Sequence, residues 1–60
     1  MELNEAYSLN QIIANGMTEK DVKDLDAKIF TKENKVYFFE HLNNEDFRLY
    51  TIINKKSFFL

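Results

Sequence analysis

The hydrophobic positions of this 60-residue chain change their period once, near Ala27. Before it, Leu9, Ile12 and Ile13 and then Val22 and Leu25 recur at the spacing of one face of a helix. After it, Ile29-Phe30, Val36-Tyr37-Phe38-Phe39-Glu40-His41-Leu42 and Phe47-Arg48-Leu49-Tyr50-Thr51-Ile52-Ile53 are β-branched and aromatic runs of strand length. The breaks between them, Lys32-Glu33-Asn34-Lys35 and Asn43-Asn44-Glu45-Asp46, are too short for a parallel crossover and predict antiparallel neighbours. The expected fold class is α+β: two short N-terminal helices packed on a three-stranded antiparallel β-meander. One small domain is expected, with the helical hairpin over about 8–26 and the meander over about 27–60. Phe58-Phe59-Leu60 is expected to add a short fourth strand or to tuck under the sheet edge.

Two helix starts support the hairpin. In Tyr7-Ser8-Leu9-Asn10-Gln11-Ile12 and again in Met17-Thr18-Glu19-Lys20-Asp21-Val22, a hydroxyl residue occupies the N-cap and can accept from a free backbone N–H of the first turn. Gln11 and Asp21 stand three residues on, where a side chain reaches back to the cap, and the apolar pairs Tyr7/Ile12 and Met17/Val22 occupy the staple positions. Between the two lies Gly16, the only glycine, where a helix ending at Asn15 needs positive φ.

Strict alternation divides the meander into two faces. Val36, Phe38, Glu40 and Leu42 share one side with Phe47, Leu49, Thr51 and Ile53, a largely aliphatic set suited to the helices. The other side carries Tyr37, Phe39, His41, Arg48, Tyr50 and Ile52, a mixture typical of protein interfaces. Eight of the nine aromatic residues fall between positions 30 and 59, and a domain this small hides only about 60% of its unfolded surface. An open aromatic face with those six residues as interface candidates is therefore expected.

Charge and composition narrow the functions. Residues 1–26 carry two lysines against six carboxylates, net −4, and residues 27–60 carry six cations against four carboxylates, net +2. The overall charge of −2 leaves only weak attraction to a polyanion. Without cysteine there is no disulfide framework or thiolate site, and one histidine builds no His-rich metal centre, so neither metal nor cofactor is expected. Apolar runs fall far short of the roughly 20 residues that cross a bilayer, and the N-terminus lacks the marks of a secretory signal. A cytoplasmic protein with no membrane role is expected. Glu40 and His41, adjacent on a strand, point to opposite faces, Ser8 and Ser57 have no visible base, and one glycine makes no phosphate loop. No catalytic residues and no enzyme are expected.

Residues 8–25 resemble a helix-turn-helix DNA-binding unit: Gly16 in the turn, apolar Met17 after it, Thr18 as cap, and Val22 and Leu25 on the buried face of the second helix. That resemblance implies a small dimeric transcription regulator with Thr18, Glu19, Lys20 and Lys23 at the DNA. The same helix carries Glu19, Asp21, Asp24 and Asp26, which phosphates repel, so nucleic acid ranks below protein as a partner. Seven asparagines, seven lysines and no proline resemble the residue usage of AT-rich genomes, such as those of phages and mobile elements of low-GC bacteria. The favoured expectation is a non-enzymatic protein-interaction module, an inhibitor or adaptor that binds a host protein or itself, as a homodimer, through the aromatic face.

Overall fold

The computed structural model describes residues 1–22, 27–43 and 45–58. Its elements are β1 (Ala6–Ser8), α1 (Leu9–Ala14), β2 (Thr18–Lys20), β3 (Lys28–Lys32), β4 (Lys35–His41), β5 (Asp46–Asn54) and α2 (Lys55–Phe58). The five strands form one antiparallel sheet in the order β1-β5-β4-β3-β2. The three-stranded meander therefore exists as its centre, but two N-terminal helices on a three-stranded sheet do not. The described residues are mostly sheet, with two very short helices.

The first helix start behaves as its residues predict. Gln11 N donates to Ser8 Oγ at 3.2 Å and Ser8 N donates to Gln11 Oε1 at 2.8 Å, a complete capping box. Gly16 lies at φ +82 and its N–H donates to the Ile13 carbonyl at 2.9 Å, which stops the helix after six residues.

The second start does not become a helix. Thr18, Glu19 and Lys20 pair instead with Thr31, Phe30 and Ile29 of β3. A short isolated helix is marginal in water, whereas the open edge of β3 offers the same backbone groups a ready partner. Gly16 turns the chain toward that edge, and Met17 enters the core rather than stapling a second helix. Of the five residues expected to face inward from the hairpin, only Ile12 is buried; Leu9 and Ile13 are exposed, Val22 is half-buried and Leu25 lies outside the described residues.

Strict alternation also fails, at one place. Phe38 faces Thr51 and the next residue, Phe39, faces Leu49, so Tyr50 is an extra residue in β5 and forms a β-bulge. The bulge puts Phe47, Leu49 and Ile52 on one face with Tyr37 and Phe39, and Thr51 and Ile53 on the other with Val36 and Phe38. The first of these faces, expected to be open, is the one α1 covers. Ile12, Met17, Phe30, Phe39, Phe47 and Leu49 form its core, with Tyr7, Tyr37 and Ile52 packed against them. The Phe30 and Phe39 rings meet edge to face at 5.4 Å. Ile29 and Val36 are buried on the opposite face, so the central strands are apolar on both sides. Residues 55–58 are helical where a fourth strand or tuck was expected, and Phe59 and Leu60 lie outside the described residues.

Two networks tie the ends to the sheet. Asn4 N donates to the Leu49 carbonyl at 2.6 Å and Leu49 N to the Glu5 carbonyl at 3.1 Å, while Arg48 reaches Glu40 Oε2 at 2.7 Å and Asn4 Oδ1 at 2.9 Å. At the opposite turn, Asn43 Oδ1 accepts from the N–H groups of Glu45 and Asp46, both at 3.0 Å. Among the described residues no helix is long and apolar enough to cross a membrane.

Candidate functional site

The burial of the aromatic set relocates the accessible surface. Phe30, Phe39 and Phe47 are buried, Tyr7, Tyr37 and Phe38 are half-buried, and of the aromatic side chains described only Tyr50 is exposed. Of the six interface candidates, Phe39 is 0% exposed and Tyr37 and Ile52 pack on the core. His41 is exposed but stacks on Phe47 with ring centres 4.8 Å apart. Arg48 is held by Glu40 and Asn4 on the opposite face, where Tyr50 also lies, its ring 6.3 Å from that of Phe38. The six are therefore not one open patch. The physical reason is the bulge together with α1: one extra residue exchanges the faces of β5, and the helix then closes the face that carries Phe39.

The helix-turn-helix reading loses its second helix. Thr18, Glu19 and Lys20 form the exposed edge strand β2, where Glu19 pairs with Lys28 at 2.8 Å. Lys23 lies outside the described residues. A three-residue strand presents no helix to a major groove.

What the fold leaves accessible is the outer side of α1. Leu9 and Ile13 stand one helical turn apart and are 42% and 52% exposed. Both were expected to face inward with Ile12. Leu42, 49% exposed, lies at the same end of the sheet as Leu9: Leu9 N donates to the Glu45 carbonyl at 3.2 Å and Leu42 N to the Asp46 carbonyl at 2.9 Å, so both flank the β4–β5 turn. At its other end α1 runs toward the β3–β4 turn, where the aliphatic stem of Lys32 passes over Gly16. Leu9 and Ile13 thus form a short apolar ridge on the outer side of α1. Helical spacing made Leu9 and Ile13 legible as a pair, but their exposure was not, because α1 seats on the sheet through Ile12 alone.

Among the described residues no group of three or more His, Asp or Glu side chains is placed to hold a metal ion. Nor does any buried side-chain polar atom among them lack a hydrogen-bond partner. Comparison with protein-family models, curated proteins and solved structures finds no match for this chain.

Proposed function

We propose that this chain is a non-enzymatic protein-interaction module of phage or mobile-element type, working in the cytoplasm as an inhibitor or adaptor that binds another protein. The observation that carries the proposal is the outward pair Leu9 and Ile13 on α1, with Leu42 beyond the helix end. Single exposed apolar residues are ordinary, whereas a ridge left by a helix that buries only Ile12 offers a partner contiguous apolar area. The anchor is a helix, capped at both ends and seated on the sheet through Ile12, which presents its outer residues in a set orientation.

The test replaces Leu9 and Ile13 together by serine. Because both side chains are solvent-exposed, the melting transition should stay within about 0.5 kcal/mol of the parent. The immobilised parent chain should retain a protein from a host lysate that the double variant loses. Retention of the same proteins by both forms refutes the proposal. If sedimentation equilibrium shows self-association that the same substitutions abolish, the partner is a second copy.

A further inference from the structure

The second feature of the surface is a pole of lysines at the β3–β4 turn. Lys32 and Lys35 face each other directly across that turn, and Lys35 faces Asn54 across β4 and β5. Lys55 follows Asn54, its N–H donating to the Asn34 carbonyl at 2.8 Å, and Lys56 is next. Two depressions share Asn34: one of about 340 Å³ lined by Lys32, Glu33, Lys35 and Tyr37, and one of about 560 Å³ lined by Asn54, Lys55, Lys56 and Ser57. Four lysines against Glu33 give the pole a net charge of +3, so the remainder of a chain of net −2 carries −5.

Lys55 Nζ donates to the Glu33 carbonyl at 3.5 Å, but none of the four forms an ion pair among the described residues. Lys28 and Arg48 are paired with Glu19 and Glu40, whereas Lys32, Lys35 and Lys56 have no carboxylate within ion-pair distance among the described residues. Like charges directly opposite on neighbouring strands oppose pairing, and Glu33 in the same turn sits at φ +55 without being glycine. Two local rules are broken in four residues. Such conflicts concentrate where a surface serves something other than folding.

We propose that this pole receives an acidic segment of the protein partner, whose apolar residues lie along the Leu9–Ile13 ridge and whose carboxylates meet Lys32, Lys35, Lys55 and Lys56. The inference rests on the interaction reading and adds the chemistry of the partner. Lys32 joins the two surfaces, because its stem passes Gly16 at the end of α1. A protein segment fits better than a nucleic acid. Tyr37, the one ring lining the two depressions among the described residues, is half-buried against the core, the only arginine is held by Glu40 and Asn4, and the rest of the chain, at net −5, repels a long polyanion.

The experiment titrates the full chain with a polyglutamate peptide and, in parallel, with oligothymidylate, following backbone amide shifts. Polyglutamate should shift the amides of residues 32–35 and 54–57. Its affinity should fall about fivefold or more between about 50 and about 200 mM salt, and by a similar factor in the exposed-site variant Lys35→Gln/Lys56→Gln. No shift at the pole, an unchanged affinity in that variant, or tighter binding of oligothymidylate overturns the inference. The interaction reading is scored separately by Leu9→Ser/Ile13→Ser, so loss of partner binding there with an unaffected lysine variant removes the acidic partner and keeps the module.

Discussion

At the scale of single residues, three described positions have positive φ, Asn4, Gly16 and Glu33, and the last two make opposite predictions for stability. Gly16 occupies φ +82 and an added Cβ would make only an ordinary van der Waals contact with the Lys32 stem at 3.9 Å, so the cost of Gly16→Ala is conformational. A loss of about 1 kcal/mol is expected in chemical denaturation. Glu33 is the converse case, an L residue at φ +55 in a hairpin turn, and Glu33→Gly should raise the denaturation midpoint by about 1 kcal/mol. A lowered midpoint would show that Glu33 gains more from its neighbours than its backbone conformation costs. Gly16 was legible in the sequence because it is the only glycine and follows a capped apolar run. Glu33 was not, since nothing in its identity announces a left-handed backbone.

At the scale of elements, the same capping signature had two outcomes. Ser8 and Gln11 close the box on α1, and Ser8→Ala should cost about 1 kcal/mol, read as a lower midpoint together with reduced amide protection from Gln11 to Ala14. Thr18 carries the same kind of signal and begins a strand. A cap satisfies only the first turn and does not choose between continuing as a helix and pairing with an open edge. That choice fell to β3, whose position beside Gly16 no local pattern encodes. The bulge at Tyr50 is a second decision of this kind. Deleting Tyr50 joins Leu49 to Thr51 and restores plain alternation without moving any other side chain to the opposite face, so the shortened chain should still unfold cooperatively. Loss of a cooperative transition would mean that the extra twist of the bulge is required for β1 or α1 to dock.

At the scale of the whole molecule, one core joins α1 to the sheet through few residues. Ile12 is the only buried residue of α1, packed with Phe30, Phe39 and Leu49, and Ile12→Ala should cost about 2–5 kcal/mol. A core this small supplies roughly 3–5 kcal/mol in total, so the variant should be largely unfolded at room temperature, which far- and near-ultraviolet circular dichroism would show. A variant that keeps its sheet and loses only α1 would instead establish the sheet as an independent unit. Charge is divided at the same scale, with the lysine pole at the β3–β4 turn at net +3 and the rest of the chain at net −5.

The sequence by itself determined α1 and its two caps, the three central strands and their antiparallel order, because each depends on interactions within a few residues or on hydrophobic period. It also determined the basic character of the second half, which the fold gathers at one turn. Tertiary structure alone decided that residues 18–20 pair as an edge strand, that β1 closes the other edge, and which face of the meander is closed. Those outcomes depend on which backbone groups remain open once distant segments meet. Alternation is blind to a one-residue bulge, and a single extra residue exchanges the faces of everything beyond it. Phe30, Phe39 and Phe47 therefore became the core, with Tyr7 and Tyr37 against it, and the exposed apolar pair fell to α1.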